Sequence, residues 1–183
     1  MINALIFTCG EKLGLPPSRA VGLGICVLSI AILLTAVAME HGLGLAPCIL
    51  CLYQRGPWVA TVVLGGVAFL PGLPPGLRRA LLGACALSFF GNSALAFYHV
   101  GVEQLWWEGT AACGGAPPAS ASGAPSLADI RSALSQPDTT PRCDEPQWDL
   151  FGITMAGYNM ILCFGLGVIT TMVVAKSPFW RRA

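Results

Sequence analysis

Charged residues are scarce in this chain. Lysine, arginine, aspartate and glutamate together make up 10% of its 183 residues, whereas about 25% is typical of soluble globular chains. The formal net charge is +1, so the sequence has no excess of basic residues of the kind that neutralises nucleic-acid phosphates. We therefore expect neither an ordinary soluble domain nor a nucleic-acid partner.

Hydrophobic residues dominate the composition instead. They make up 55% of the chain, and the mean hydropathy is +0.69. Four runs are almost free of charge, and each approaches the roughly 20 residues that a helix needs to cross a bilayer. We predict an all-α membrane protein in which residues 1–183 form one bundle of four transmembrane helices. The predicted spans cover residues 20–39, 52–72, 80–102 and 151–175, and the outer loops cover 40–51 and 103–150.

Most basic residues fall in the segments that the four predicted spans would place on one side of the membrane. Seven of the ten fall before the first run, between the second and third, or after the fourth: Lys12, Arg19, Arg78, Arg79, Lys176, Arg181 and Arg182. Loops rich in lysine and arginine stay in the cytoplasm. The sequence therefore predicts that both termini are cytoplasmic and that the two outer loops face the opposite side of the lipid bilayer.

The eight cysteines divide by location. Cys9 precedes the first run. Three lie within the runs and are predicted to pack as small apolar residues: Cys26, Cys85 and Cys163. The remaining four belong to the outer loops: Cys48, Cys51, Cys113 and Cys143. Four cysteines allow three pairings, of which the adjacent pair together with a loop-closing pair is the simplest. In an oxidising compartment both pairs can form disulfides.

Cys48 and Cys51 are followed by Arg55 after four residues. In a helix these three positions share one face. A positive charge close to a thiol favours the thiolate, which is the reactive form. A disulfide that closes so small a ring is readily reduced. The pattern is typical of a redox-active dithiol, and the alternative is a structural turn beside an arginine whose charged end reaches the membrane interface.

The second outer loop supplies the other cysteine pair. Cys113 precedes Gly-Gly-Ala-Pro-Pro, a composition typical of mobile chain, so we expect it to be exposed to a soluble partner. One exchangeable disulfide at the membrane surface and one in a mobile loop indicate an electron relay through mixed disulfides. Zinc is the main chemical alternative, since four thiols could bind it, although the second pair lacks the C-x-x-C spacing. Haem attachment needs C-x-x-C-H, and Leu52 stands where the histidine would be.

Three further features concern single residues or a short segment. His99, near the outer end of the third run, is either a satisfied interfacial residue or a functional one, because ionisable groups within spans are functional candidates. Residues 126–134 have the apolar spacing of a short helix that lies on the membrane surface or packs on its own loop. Asn159, in the fourth run, is predicted to donate an interhelical hydrogen bond.

Four features occur together in an order that is specific. Pro-Cys-x-x-Cys-x-Tyr-Gln-Arg stands at 47–55, Tyr-His-Val-Gly-Val-Glu at 98–103 and Trp-Asp-Leu-Phe-Gly at 148–152, and the second outer loop carries two cysteines. In this combination the chain resembles, over nearly its whole length, the bacterial disulfide bond formation protein B family, the DsbB-type thiol:quinone oxidoreductases.

The resemblance implies roles for the outer cysteines. Cys113 and Cys143 would form the disulfide that reoxidises a periplasmic thioredoxin-like dithiol oxidase of the DsbA type, with Cys113 as the site of the mixed disulfide. Cys48 and Cys51 would receive the electrons, and Cys51 would deliver them to a membrane quinone.

The resemblance also implies a cofactor and a location. The quinone would be ubiquinone or menaquinone, and no metal would be involved. Arg55 would polarise a quinone carbonyl and stabilise the nearby thiolate, while His99 would supply a second hydrogen bond or a proton. The protein would lie in the bacterial inner membrane, with its active site on the periplasmic side.

Two other functions fit parts of the pattern. A vitamin K epoxide reductase-like enzyme, or an importer that moves electrons in the opposite direction, is a related possibility. An importer would need a mid-span or cytoplasmic-side cysteine, such as Cys26 or Cys85, in its relay. A non-enzymatic four-span protein with a structural loop disulfide would have no use for a thiolate beside Arg55.

Overall fold

The computed structural model describes residues 14–113 and 141–176 of the chain. Several of the residues discussed above therefore lie outside the described part: Cys9, Lys12, the segment 126–134, Arg181 and Arg182.

Four helices make up most of the described chain: α1 (Pro17–Leu43), α2 (Ile49–Phe69), α3 (Pro75–Glu103) and α4 (Met155–Lys176). Three of them, α1, α3 and α4, are long and apolar enough to cross a membrane. α2 falls below that level of hydropathy because its first half contains Tyr-Gln-Arg-Gly-Pro at 53–57. A mainly helical architecture with three candidate spans is confirmed. That α2 also crosses the membrane, and that both termini are cytoplasmic, stay predictions.

The helix ends differ from the predicted boundaries because local backbone signals set them. Pro17 and Pro75 each stand in the first turn of their helix, where a missing N–H costs nothing. α1 continues to Leu43 and ends at Gly44, whose φ of 69° is left-handed. The first outer loop therefore shortens from the predicted 40–51 to the five residues 44–48.

A small β-hairpin precedes α4. Its strands β1 (Asp149–Leu150) and β2 (Ile153–Thr154) are antiparallel, and the two residues between them, Phe151 and Gly152, have φ values of 54° and 75°. A two-residue hairpin turn of this kind needs positive φ at both positions, which a helix cannot contain. The prediction of an all-α chain is therefore wrong at this point, and the helix of the span predicted at about 151–175 starts at Met155.

The helices pack in sequence order, α1 on α2, α2 on α3 and α3 on α4. α1 and α2 approach so closely that a Cβ on Gly22 would lie 2.9 Å from the Gly65 carbonyl oxygen, and the reverse holds for Gly65. Small residues at a membrane-helix contact allow this approach. Near the same contact, the hydroxyl groups of Ser29 and Thr61 are hydrogen-bonded at 2.8 Å.

The middle of the bundle is an apolar core. Trp58 and Phe89 meet edge to face with their ring centroids 5.5 Å apart. Cys85 and Cys163 belong to the same buried cluster, which confirms that these two cysteines are packing residues.

Basic side chains mark one end of the bundle. Arg19 donates from Nε to the Phe69 carbonyl oxygen at 2.8 Å, and Arg78 donates to the carbonyls of Ala68 and Leu70 at 2.9 Å. These contacts satisfy acceptors at the C-terminal end of α2 that have no partner within the helix. Since α2 has 21 residues, its two ends are about 30 Å apart at 1.5 Å per residue. The arginines thus lie at the end of the bundle opposite to Cys48.

Candidate active site

Cys48 and Cys51 lie together at the N-terminal end of α2. Cys48 caps the helix, where its sulfur accepts the backbone N–H of Cys51 at 3.4 Å. The two sulfur atoms are 3.1 Å apart, and both cysteines are free thiols. Hydrogen bonds from Cys51 and then His99 hold the pKa of the Cys48 thiol well below its usual range, although burial opposes this shift. The helix terminus therefore presents a dithiol in which Cys48 favours the thiolate.

His99 approaches this dithiol from α3. Its Nε2 lies 3.5 Å from the Cys48 sulfur, and its Nδ1 lies 2.8 Å from Nε2 of Gln54. The side chain is only 3% exposed, so it is buried beside the dithiol. The structure places His99 beside Cys48, whereas the sequence had indicated only a depth similar to that of Arg55.

Arg55 has an acidic partner that the sequence analysis did not identify. Its Nη2 donates to Oε2 of Glu40 at 2.8 Å, and both side chains are about one-quarter exposed (26% and 29%). Glu40 occupies the last full turn of α1. The signal that could have found it is a carboxylate at the end of an apolar run, at the same depth as the arginine. The ion pair ties α1 to α2 beside the dithiol.

Glu103 is a second acidic residue that the sequence analysis did not single out. Its Oε1 lies 3.7 Å from Nε2 of His99, one helical turn away, and its side chain is 5% exposed. The hydroxyl of Thr154 donates to Oε2 of Glu103 at 2.6 Å and accepts the backbone N–H of Gly157 at 3.1 Å. The hairpin and the start of α4 thereby hold this carboxylate in place.

A cavity of about 300 Å³ opens beside these groups. Cys48, Cys51, Arg55 and His99 all contribute to its wall, so the structure brings the four predicted residues to one site. Much of the remaining lining is apolar and comes from α1 and α4; it includes Ile32, Leu33, Ala36, Met39, Met155 and Leu162. Arg142, Glu145 and Trp148, from the segment before the hairpin, also line the cavity.

Cys113 and Cys143 form a disulfide with their Cα atoms 5.1 Å apart. They are 5% and 1% exposed, so the prediction that Cys113 is exposed is wrong. The reason is tertiary packing: the disulfide joins Cys48, Leu50 and Val102 in one buried cluster, against which Cys51 also packs. The four outer cysteines therefore meet at one end of the bundle.

The same cluster bears on metal binding. A site made from all four outer cysteines is not present, because Cys113 and Cys143 are bonded to each other. Cys48, Cys51 and His99 nevertheless offer ligand atoms within 4.8 Å of one another. Two thiolates and an imidazole are a donor set that soft divalent ions accept.

Three comparisons with known proteins bear on this arrangement. A family model described as Disulfide bond formation protein DsbB matches residues 18–173. A Disulfide bond formation protein B from Haemophilus influenzae is 27% identical over 157 residues, which cover 81% of each chain. One from Aromatoleum aromaticum is 26% identical over 166 residues, covering 87% of this chain and 93% of the relative. The comparison with solved structures finds no match. Because the family model covers most of the residues and includes both cysteine pairs, the chain belongs to the DsbB family of disulfide bond formation proteins.

Proposed function

We propose that the protein is a thiol:quinone oxidoreductase that reoxidises a periplasmic thioredoxin-like dithiol oxidase of the DsbA type. Membership of the DsbB family supports a disulfide-generating membrane oxidoreductase. The observation that carries the finer proposal is the packing of the Cys113–Cys143 disulfide against a free dithiol, Cys48 and Cys51, that lines an apolar cavity.

The first half of the relay takes place at the loop disulfide. A thiolate of the reduced partner attacks Cys113, so that a mixed disulfide forms and Cys143 leaves as a thiolate. Cys143 then attacks Cys48 of an oxidised Cys48–Cys51 pair, and Cys51 leaves as a thiolate. The second thiol of the partner releases the oxidised partner and frees Cys113. Because Cys113 is buried, its exchange with a soluble protein requires the turn at Ala111–Cys113 to move outward.

The second half returns the loop to its starting state. Cys113 attacks the Cys143 sulfur of the Cys48–Cys143 disulfide, which restores Cys113–Cys143 and releases Cys48 as a thiolate. Two electrons from the partner now reside on Cys48 and Cys51. This product has the same connectivity as the structure, with one bonded pair and one free pair.

The lining of the cavity supports a quinone as the electron acceptor. Most of its wall is apolar, which suits a flat ring with an isoprenoid tail, and Arg55 and His99 at the wall can donate hydrogen bonds to ring carbonyls. A quinone, either ubiquinone or menaquinone, would accept the two electrons and two protons. Arg55 would donate a hydrogen bond to a carbonyl, and Cys51 would deliver the two electrons that Cys48 and Cys51 give up as they re-form their disulfide. His99 would supply a second hydrogen bond or a proton.

The distribution of charge supports an orientation in the bacterial inner membrane. Arg19 and Arg78 lie at one end of the bundle and the dithiol at the other, about 30 Å away along α2. Basic residues favour the cytoplasmic side. We infer that the termini are cytoplasmic, that α2 crosses the membrane like the other three helices, and that the four outer cysteines are periplasmic.

The experiment uses the purified full chain in lipid nanodiscs with a soluble quinone analogue and a reduced DsbA-type protein. We expect one quinone to be reduced for each partner disulfide formed. Cys85→Ser, which changes a core cysteine of the same bundle, serves as the control and should leave this ratio unchanged. Partner oxidation without quinone reduction would contradict the proposal.

A further inference from the structure

A chain of side-chain hydrogen bonds crosses the bundle and ends at the dithiol. The indole Nε1 of Trp58 donates to Oδ1 of Asn159 at 3.0 Å, and Nδ2 of Asn159 donates to Oε1 of Gln54 at 2.6 Å. Gln54 Nε2 lies 2.8 Å from Nδ1 of His99, whose Nε2 lies 3.5 Å from the Cys48 sulfur. The bonds pass from α2 to α4, back to α2 and on to α3, and they confirm Asn159 as an interhelical donor.

The donor and acceptor of every hydrogen bond in this chain follow from Trp58, its first member. An indole N–H can only donate, so Asn159 must turn its oxygen towards Trp58 and its NH₂ towards Gln54. Gln54 must then turn its oxygen towards Asn159 and its NH₂ towards His99. The Nδ1 atom of His99 is therefore an acceptor and carries no hydrogen. Since neutral imidazole has one N–H, that hydrogen lies on Nε2, facing Cys48.

A second set of contacts is consistent with the same orientation. The Nδ2 atom of Asn92 donates to the Cys163 sulfur at 3.3 Å, and the Cys163 thiol donates to Oδ1 of Asn159 at 3.4 Å. The oxygen of Asn159 thus accepts from two sides. The opposite orientation would turn its NH₂ towards both donors and leave the N–H of Trp58, a residue that is 3% exposed, without an acceptor, which is costly for a buried group.

We propose that Trp58, Asn159 and Gln54 are positioning residues that hold neutral His99 as the Nε2–H tautomer, so that it donates a hydrogen bond to the Cys48 sulfur. In the opposite tautomer a lone pair would face Cys48, and the histidine would act as a base towards the thiol. The functional consequence rests on the proposed function: the Nε2–H stabilises Cys48 each time that it leaves as a thiolate. The tautomer itself is independent of quinone chemistry.

Glu103 is a charged group close to Nε2 of His99, at 3.7 Å. An ionised carboxylate there also favours a hydrogen on Nε2, so its contribution must be separated from that of the hydrogen-bond chain. Glu103→Gln removes the charge and leaves Trp58, Asn159 and Gln54 in place. We expect the tautomer to be unchanged in this variant.

Nitrogen-15 NMR of the reduced full chain, labelled at histidine, measures the tautomer directly. The chain has two histidines, and His41→Gln assigns the signals of His99. We expect a pyrrole-type Nε2 and a pyridine-type Nδ1 in the unmodified protein. A pyridine-type Nε2 in that protein would overturn the proposal without any variant.

Two substitutions reverse the chemistry while nearly preserving shape. Gln54→Glu places an acceptor opposite Nδ1, and Asn159→Asp cannot donate to Gln54, whose amide then turns over to donate to the new carboxylate. Both should move the hydrogen to Nδ1, as a neutral ring or as the imidazolium. Gln147→Glu adds the same charge to the wall of the same cavity, outside the chain of bonds, and should leave the pattern unchanged.

The outcomes separate this inference from the proposed function. An unchanged tautomer in both Gln54→Glu and Asn159→Asp would overturn the role of the three positioning residues, whatever the enzyme does with quinone. A protein that shows the expected shifts but does not reduce quinone would support the inference and contradict the proposed function.

Discussion

Cys48 and Cys163 are both buried, and both take part in hydrogen bonds, yet their surroundings differ in kind. Cys48 lies 3.1 Å from a second sulfur, borders a cavity and packs against a disulfide. Cys163 lies in the apolar core among aromatic rings, and its only described polar neighbours are the amides of Asn92 and Asn159. Burial therefore does not separate the two classes of cysteine. A neighbouring sulfur and a bordering cavity do.

The largest expected effect comes from removing one sulfur of the reactive pair. Cys51→Ser should abolish quinone reduction, by more than about 1,000-fold, because a hydroxyl cannot take part in thiol–disulfide exchange. Stopped-flow absorbance of the quinone measures the rate. Cys85→Ser, in the same apolar core as Cys163, is the matched control, and equal losses in both variants would remove the distinction between the two regions.

Cys143→Ser should block the loop disulfide and leave the Cys48–Cys51 pair functional. With the DsbA-type partner as the electron donor, we expect activity to be lost, since the loop disulfide cannot form. With a small dithiol that enters the cavity and reduces Cys48–Cys51 directly, most of the activity should remain. Loss with both donors would show that the loop disulfide does not act upstream of the helix-terminal pair.

Arg55→Gln should raise the KM for quinone by roughly ten- to hundred-fold, because a hydrogen bond from a charged donor contributes about 1.5–3 kcal/mol. Glu40→Gln should have a smaller effect, since partly exposed ion pairs contribute about 0–1 kcal/mol. Arg79→Gln, at the opposite end of the bundle, is the control. A similar KM for the Arg55 and Arg79 variants would contradict a quinone site beside Arg55.

Changes in the middle of the bundle should affect stability more than chemistry. Gly65→Ala places a methyl group against the backbone of α1 and should destabilise the bundle by about 1–3 kcal/mol. In Gly66→Ala the new methyl meets only the Cys26 sulfur, at an ordinary 3.7 Å, and stability should change little. Thermal unfolding in nanodiscs measures both, and equal midpoints would argue against the close contact of α1 and α2.

The smallest effects are expected at the mid-bundle cysteines. Cys26→Ala and Cys85→Ala should retain quinone reduction and partner oxidation, because neither sulfur belongs to the cluster of outer cysteines. Loss of electron transfer in either variant, with the fold intact, would favour an importer whose relay uses a mid-span thiol.

Much of the fold follows from composition, because apolar runs of sufficient length form buried or lipid-facing helices. The exact ends of these helices were harder to predict. α1 continues to its C-cap at Gly44, and α4 begins only after a turn at Phe151 and Gly152. A bulky residue such as Phe151 rarely adopts positive φ, so no local pattern indicated the hairpin.

In the candidate site, too, some features follow from local sequence and others depend on packing. Cys48, Cys51 and Arg55 share a face because three and four residues separate them on one helix, which spacing alone predicts. The burial of Cys113 depends on packing against other segments and has no local signal. Gln54 and Asn159 are 105 residues apart, and the only available indication was the presence of polar side chains within apolar runs.

Thiol trapping under non-reducing conditions, with the membrane quinone pool first oxidised and then depleted, tests the central claim most directly. We predict that Cys48, Cys51, Cys113 and Cys143 change redox state with the pool, while Cys26, Cys85 and Cys163 stay reduced. If the four outer cysteines keep the same state after quinone depletion and the partner is still reoxidised through this protein, the link between the dithiol and a membrane quinone is contradicted.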